Sequence, residues 1–490
     1  MADITASLKD HSMLYLQCDR GIGAELSEYF SFYVPGYKFM PAYKNKVWDG
    51  KIRLFNSMTN ELNAGLFVYL YKFCEERNYK LTSAETMYGL PFEKNDVDVG
   101  DLNNMIANIN VPFPLRDYQY EAVTAAIRRQ RAVLLSPTGS GKSYIIYILI
   151  RWILQETDNN VLIIVPTTSL VEQMYSDFKD YGWDVDNNVH RIYSGKDKVT
   201  DKRVVVSTWQ SIYKFPKQWF EQFDAVFGDE CHGFKSKSLS SIMNKATEAK
   251  YRFGTTGTLD GTQTHKLVLE GLFGPVYKVT TTKDLQDNDT LAPLEITMLV
   301  MNYGEQVRQD FGKKTYQEEI EFIVKNEKRN NFIRNLTLDQ NGNTLVLYQL
   351  VEKHGRVLYD LISNKAELDR KVFFVSGEVG ANDREAIRRI VEKQNNAIIV
   401  ASMGTFSTGI NIKNLHNIIF ASPSKSQIRV LQSIGRGLRK ADDGSTTQLY
   451  DIADDLHWKG RQNFTLLHSA ERAKIYNREQ FKHKLIKVDL

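Results

Sequence analysis

From about residue 115 the chain alternates between short apolar runs and longer amphipathic stretches. The runs are rich in Val, Ile and Phe: Ala132–Leu135, Val161–Val165, Val204–Val206 and Ala225–Phe227. Small or polar residues follow each one, and then a helical pattern. Uninterrupted apolar runs of this length are strands buried on both faces, and strands separated by helices assemble into a parallel sheet. The pattern weakens at Thr280–Pro293 (TTTKDLQDNDTLAP), which reads as a linker. It restarts at Thr344–Leu347, Val372–Val375, Ala397–Val400, Ile418–Ala421 and Leu449–Ile452. Residues 1–90 mix strand and helix signals, and the polar stretch Glu93–Asp101 (EKNDVDVGD) reads as a second linker. From Leu456 to Leu490 there are eight Lys or Arg and three acidic residues. The expected division is a small α+β module (1–100), two doubly wound α/β domains (101–285 and 286–460) and a basic helical tail (461–490).

Composition narrows the class without fixing it. At 490 residues, 42% hydrophobic and 25% charged, the chain has material for about three ordinary globular domains. A net charge of +4 permits a nucleic-acid partner but does not require one, so any basic surface must be local. Three scattered cysteines, Cys18, Cys74 and Cys231, form neither a disulfide framework nor a zinc spacing. The first residues, MADITASLKD, lack the apolar core of a signal peptide, and the most apolar window, Tyr144–Leu154, is broken by Arg151. A cytoplasmic protein is expected.

Two motifs carry chemistry in the first α/β domain. SPTGSGKS, Ser136–Ser143, lies between an apolar run and a helical stretch, the setting that a phosphate loop needs. Ser136, Pro137, Thr138, Gly139, Ser140 and Gly141 would form the loop. Gly139 and Gly141 would let backbone N–H groups approach phosphates, Lys142 would meet the β- and γ-phosphates, and Ser143 would hold Mg²⁺. Ser136 stands where the consensus has its first glycine. DECH, Asp229–His232, ends the run Ala225–Phe227. There Asp229 is placed to hold Mg²⁺ and Glu230 to polarise an attacking water. Two acids at one strand end repel, and a bound cation is a reason for them to coexist. Cys231 reads as a small packing residue, and His232 as either a surface or a coupling residue.

Together these motifs resemble the DExH branch of the superfamily 2 helicases. The resemblance implies two tandem RecA-like domains with ATP and Mg²⁺ as cofactors, and it assigns further residues. In LRDYQ, Leu115–Gln119, Gln119 would read adenine. Pro166, Thr167, Ser207 and Thr208 would meet nucleic-acid phosphates, and TTGT, Thr255–Thr258, would couple hydrolysis to movement, with Thr256 and Thr258 its candidates. In the second domain QSIGRGLR, Gln432–Arg439, would supply Arg436 and Arg439 as arginine fingers and Gln432 as a coupling residue. TFSTGINI, Thr405–Ile412, would supply Thr405, Thr408 and Gly409, and Ser376–Gly377 a weaker contact.

The segment Gly36–Arg53, GYKFMPAYKNKVWDGKIR, has five basic residues and one acid among Tyr37, Phe39, Tyr43 and Trp48. Cations for phosphates beside aromatic faces for bases suit single strands or forks, with Lys44, Lys46, Trp48, Lys51 and Arg53 as candidates. A hairpin with a small aromatic core explains the same residues. YKFMPAYKNKVWDGKIRLFN, IIVPTTSLVEQM, STWQS, KTYQEEI, VSGEV and FSTGINIKNLH together resemble the UvsW-type helicases of tailed phages. That resemblance implies a recombination and repair enzyme in the host cytoplasm, and a monomer is expected. It would act with 3′–5′ polarity on stalled forks, Holliday junctions and R-loops, and RNA–DNA hybrids and single-strand-binding proteins would be among its partners. A double-strand translocase, an RNA helicase and an ATP-independent annealing protein remain open alternatives. The tail residues Arg472, Lys474, Arg478, Lys482, Lys484 and Lys487 suit either a helix packed on the second domain or a DNA contact.

Overall fold

The computed structural model describes residues 2–83, 98–109, 111–156, 158, 160–193, 197–311, 314–409, 412, 414–422, 426, 430–432, 434–435, 438 and 444–490. It divides into two compact units. One contains Met1–Ser136 and Gly141–Thr280, the other Pro137–Ser140 and Thr281–Leu490.

The first unit opens with strands β1 (Ile4–Leu8), β2 (Met13–Cys18), β3 (Ser31–Tyr33), β4 (Lys51–Arg53), β5 (Phe55–Asn56), β6 (Glu61–Asn63) and β7 (Leu81–Ser83). Five of them form a sheet in the order β5-β6-β2-β1-β7, while β3 and β4 pair separately as an antiparallel ribbon. Leu14, Leu16, Phe30, Phe67, Leu70 and Phe73 are buried in the core of this module.

The same unit continues into β8 (Arg131–Leu135), β9 (Asn160–Val165), β10 (Val189–Ile192), β11 (Val204–Thr208), β12 (Phe223–Asp229), β13 (Tyr251–Thr256) and β14 (Val276–Lys278). They form one parallel sheet in the order β10-β11-β9-β12-β13-β8-β14. The sheet is covered on both faces. Tyr147, Ile148 and Val171 pack on one side with Ile163 and Phe227, and Ile242, Leu269 and Phe273 on the other with Ile164 and Val226. All four apolar runs expected in this domain lie in strands. Parallel pairing then places every strand's C-terminal loop at one end of the sheet, where α/β proteins bind ligands.

The N-terminal module is welded to this domain. Arg252 on β13 donates to Ser12 Oγ (2.6 Å), and also to the carbonyls of Ala249 and Met243. Arg131 on β8 donates to the His11 carbonyl (2.6 Å). Burial, with Arg131 nearby, pulls the Arg252 guanidinium down to about 9. A Cβ at Gly65 would lie 1.9 Å from the Glu270 carbonyl oxygen, so only glycine permits this approach.

The second unit holds β15 (Leu294–Asn302), β16 (Thr344–Tyr348), β17 (Val372–Val375), β18 (Ile398–Ser402), β19 (Asn417–Phe420), β20 (Thr447–Asp455) and β21 (His483–Asp489). They too form a parallel sheet, in the order β17-β18-β16-β19-β20-β15-β21. Two segments read as linkers differ from expectation. Val99–Asn108 is helical, with Asp98 capping it, and Thr282–Asp287 is a short helix held by a Thr281–Asp284 capping box. Residues 93–97 of the first segment lie outside the described residues. No helix among the described residues is long and apolar enough to cross a membrane.

The tail is part of this second fold. Its helix, Phe464–Arg478, is followed by β21, which pairs with β15 as the outermost strand. Arg472 is buried and grips Asp451 of β20 (2.7 Å), which also accepts from Tyr476 Oη (2.8 Å). Three residues along β20, Asp454 pairs with buried Arg329 (2.6 Å) and accepts from Tyr303 Oη (2.8 Å). Breaking one partner of such a pair leaves a buried charge uncompensated, at about 3–5 kcal/mol. Arg472→Ala is therefore expected to lower stability by that amount in chemical denaturation. Lys484→Ala, on the exposed strand, should stay within about 0.5 kcal/mol.

Candidate nucleotide and nucleic-acid site

The turn after β8 has the conformation of a phosphate loop. Gly139 and Gly141 sit at φ +86° and +82°, where a side chain would be strained. A Cβ at Gly141 would also lie 2.4 Å from Gln119 Nε2. Gln119 is buried in the first turn of the helix Asp117–Arg129, and its Oε1 accepts from the Arg116 N–H (3.0 Å). That carboxamide packs against the loop itself. Ser140 Oγ donates to the Pro137 carbonyl (2.6 Å) and the Ser136 N–H to the Thr256 carbonyl (2.8 Å), which closes the turn onto β13. Lys142 and Ser143 open the helix Lys142–Glu156. Ser143 Oγ shares a hydrogen with Tyr181 Oη (2.9 Å), a partner that no motif signals.

The carboxylates lie within reach of Lys142. β12 and β13 pair with Asp229 opposite Thr255, and Thr255 Oγ1 donates to Asp229 Oδ1 (2.8 Å). Burial and, second, neighbouring Glu230 raise the Asp229 carboxyl above its ordinary range. Glu230 adopts the left-handed conformation at φ +48°, an uncommon state for a residue with a side chain. Its carboxylate lies 3.8 Å from Lys142 Nζ and 3.3 Å from His232 Nδ1. His232 Nδ1 also meets Thr256 Oγ1 (3.1 Å), whose hydroxyl donates to the Thr258 carbonyl (3.0 Å). The structure thus brings Lys142, Asp229, Glu230, His232, Thr256 and Thr258 into one connected group.

Among the described residues no cluster of three or more His, Cys, Asp or Glu side chains forms a metal cage. A buried carboxylate beside a second acid, with a serine hydroxyl at the phosphate loop, fits a Mg²⁺ ion that completes its shell with phosphate oxygens and water. Cys231 is fully buried against Gly254, and burial pushes its thiol well above the ordinary value, so it packs rather than reacts.

The nucleic-acid candidates are placed unevenly. Thr167, half-buried, caps the helix Thr168–Asp180, and the Gln210 side chain donates to the Pro166 carbonyl (3.4 Å). Ser207 does not present its hydroxyl. It is fully buried and donates to the carbonyls of Ile192 and Thr208 (both 3.0 Å), because it still lies within β11. Thr208 Oγ1 meets Ser211 Oγ (2.9 Å), so exposed Gln210 forms the outer surface of this loop. In the second unit, Ser376 is buried and its Oγ accepts from the Glu378 N–H (3.3 Å). Thr405 lies in a short helix, Met403–Gly409, rather than a loop, and its Oγ1 accepts from Ser402 Oγ (2.7 Å). A Cβ on Gly377 would lie 4.0 Å from Thr405 Oγ1, so the loop after β17 faces this short helix. Gln432 is half-buried on helical backbone. Arg436 and Arg439 lie outside the described residues, as does the side chain of Thr408; Gly409 ends the helix Met403–Gly409.

The β3–β4 ribbon contains the small aromatic core and an open basic groove together. Tyr33 stacks on Tyr37 (4.6 Å, 24°), which meets Tyr43 edge-on (4.8 Å). Trp48 Nε1 donates to the Lys51 carbonyl (2.8 Å), and Lys51 Nζ lies 4.9 Å over the Tyr33 ring. Lys38, Tyr43, Lys44, Lys46, Val47, Trp48 and Asp49 line a groove of about 520 Å³. Phe39 is 80% exposed. Arg53 is tied to Asp49, while Lys38, Lys44 and Lys46 are exposed along the groove.

Comparison with known proteins follows the same division. Residues 3–83 match the model of the N-terminal domain of the DNA helicase UvsW, residues 112–261 that of the type III restriction enzyme res subunit, and residues 327–441 the helicase conserved C-terminal domain. The ATP-dependent DNA helicase uvsW of Enterobacteria phage T4 is 34% identical, over 100% of both chains. The crystal structure of T4 UvsW aligns over 99% of each chain, at 32% identity and a TM-score of 0.52. The DNA 3′–5′ translocase XPB2 of Sulfurisphaera tokodaii is 22% identical over 88% of this chain and 94% of its own. An HsdR subunit fragment from Vibrio vulnificus, at 17% identity and a TM-score of 0.58, covers 90% of this chain and 77% of its own, and shares the fold. By its full-length identity to the T4 protein, the chain belongs to the UvsW family of ATP-dependent DNA helicases.

Proposed function

We propose that this helicase remodels branched DNA: stalled forks, Holliday junctions and R-loops, in phage recombination, repair and replication. The observation that carries the reading is the aromatic groove with Lys44 and Lys46 at its rim, fixed to the motor domain. Such a surface gives cations to phosphates and ring faces to unpaired bases, a combination suited to the strand junction rather than to plain duplex. Movement with 3′–5′ polarity is supported by the relative that bears that description. The four segments 1–100, 101–285, 286–460 and 461–490 divide the work. The first engages the branch, the next two form the motor, and the last completes the second sheet. RNA–DNA hybrids fit the same groove, single-strand-binding proteins are candidate partners, and the enzyme acts as a monomer.

In the motor, the Gly139 and Gly141 backbone cradles the phosphates of ATP and Gln119 reads adenine. Ser143 and Asp229 hold Mg²⁺, which when bound neutralises charge on the phosphate oxygens. Lys142 adds a cation at the γ-phosphate, and Arg436 and Arg439 add charge there in the transition state. Glu230 takes a proton from the attacking water, while Lys142 and His232 hold its carboxylate in place. His232, Thr256, Thr258 and Gln432 relay the state of the nucleotide. Pro166, Thr167, Thr208, Ser376, Gly377, Thr405, Thr408 and Gly409 line the path of the strand, and buried Ser207 acts only through the backbone of its own loop. The groove adds Lys44, Lys46, Trp48, Lys51 and Arg53.

A plain double-strand translocase is the second reading, favoured by the match of residues 112–261 to a restriction-enzyme subunit. ATPase rates on no nucleic acid, single strands of DNA and RNA, duplex, a model fork and an R-loop separate the two. Forks and R-loops are expected to stimulate most. Stimulation by duplex alone would replace branch remodelling with simple translocation.

Glu230→Gln should lower kcat on every substrate by about 10²–10⁴, the range for loss of a general base, with ATP binding retained. Unchanged turnover would remove Glu230 from the mechanism. Lys44→Ala with Lys46→Ala should weaken fork binding and reduce its salt slope by about two phosphate contacts. A salt titration of fork affinity reads this, and an unaltered slope would show that the groove does not touch the backbone.

A further inference from the structure

The helix Gln263–Phe273 does more than cover the sheet. Its N-terminus follows the Thr255–Thr258 motif. Asp260 Oδ1 accepts from the Thr262 N–H (2.9 Å) and Thr262 Oγ1 (2.7 Å), and Thr262 Oγ1 accepts from the His265 N–H (3.3 Å). His265 is buried. Its Nε2 lies 2.9 Å from the His232 carbonyl oxygen, and its Nδ1 lies 3.0 Å from Asp260 Oδ1 and 3.2 Å from the Asp260 N. A carbonyl only accepts, so Nε2 carries the proton and donates it. One imidazole thus ties this helix to the backbone of the residue whose side chain meets Glu230.

The same helix is shared between two cores. Leu267 is buried in the core of the N-terminal module, while Leu269, Leu272 and Phe273 are buried in that of the motor domain. It also touches the module at both ends. Near the start, Thr264 Oγ1 donates to the Tyr33 carbonyl (3.4 Å), on the ribbon whose rings support the basic groove. Near the end, Tyr69 Oη donates to Glu270 Oε2 (2.6 Å), and Glu270 Oε1 accepts from the Val276 N–H (3.0 Å).

We infer that the helix Gln263–Phe273 transmits DNA engagement at the N-terminal module to the hydrolytic site, with His265 as the positioning residue that aligns the Glu230–His232 turn. The inference rests on the reading that the groove lined by Lys44 and Lys46 meets DNA. Packed elements with close backbone approaches transmit displacement, and here one rigid rod spans the ribbon, the module core and the DECH turn. DNA that shifts the ribbon shifts Thr264, and with it the imidazole that holds the His232 carbonyl.

The test compares basal ATPase, fork-stimulated ATPase, fork affinity and melting temperature in the full-length protein. The variants are Tyr69→Phe, His265→Ala and His265→Gln. Tyr69→Phe is expected to keep basal rate and fork affinity while fork stimulation falls. His265→Ala should lower fork-stimulated kcat about tenfold, with the KM for ATP and fork affinity unchanged. His265→Gln, whose amide N–H reaches the same carbonyl, should restore most of that loss. Full stimulation in Tyr69→Phe and His265→Ala, with fork affinity intact, would overturn the coupling alone. So would losses that track melting temperature and that glutamine does not rescue. Fork affinity indifferent to Lys44→Ala and Lys46→Ala would overturn the reading of the groove, and the coupling with it.

Discussion

Everything at the candidate site depends on one register: β12 and β13 run parallel with Asp229 opposite Thr255. That pairing ends both strands at the same level, so the DECH turn and the Thr255–Thr258 turn share one surface. It gives a buried carboxylate a hydroxyl donor and sets the Thr256 hydroxyl against the His232 ring. It also leaves Glu230 in a left-handed conformation at the strand end, aimed toward Lys142. A slip of one residue would turn Asp229 and Thr255 to opposite faces of the sheet and dissolve the group. The two acids repel each other, and burial raises the Asp229 carboxyl. The site is therefore poised to gain from a cation, which offsets both costs.

Much of the architecture was legible because a strand buried on both faces must be apolar throughout. All nine runs named from the sequence coincide with strands, seven of them wholly and two, Ala397–Val400 and Ile418–Ala421, but for one end residue. β15, LEITMLVMN, is apolar and buried yet escapes notice directly after the segment read as a linker, whereas two others fail the pattern for identifiable reasons. β13, YRFGTT, has Arg252 near its start and Gly254 at its centre, neither a residue of a buried apolar strand. Arg252 is tolerated because its guanidinium satisfies the Met243, Ala246 and Ala249 carbonyls at the end of the helix Lys237–Lys245. β21, HKLIKVD, falls in the segment expected to be a basic helical tail but is a strand, hidden because an edge strand exposes most of its residues and shows no apolar run. The site shows the same split. Phosphate-loop and DECH residues are set by short-range chemistry at fixed spacing and can be read directly. Tyr181, His265 and Asp260 take part through tertiary contacts, and nothing in their sequence neighbourhoods announces it.

The N-terminal module shows why a segment without a catalytic motif can still matter to catalysis. Its sheet is small, and its core is completed by Leu267 from the motor domain. The chain joins the two through backbone contact at Gly65 and through Arg131 and Arg252, two buried cations that reach across to His11 and Ser12. Those bonds tie the module, and the basic groove it carries, mechanically to the domain that holds Glu230.

The charge of the chain has to be judged by placement. A net +4 says little about nucleic acid, since Arg131, Arg252, Arg329 and Arg472 are all buried and serve the fold. Lys474 pairs with Glu471 and Arg53 with Asp49, so part of the apparent basicity of the tail and ribbon is neutralised locally. Lys44 and Lys46 stand apart from this pattern. They are exposed at the rim of an aromatic groove, where phosphate is the natural counter-charge for a lysine and a base the natural neighbour for a ring. Two lysines held at such a rim carry more of the case for a nucleic-acid contact than the whole-chain excess does, because buried and paired cations cannot release counterions from a DNA backbone.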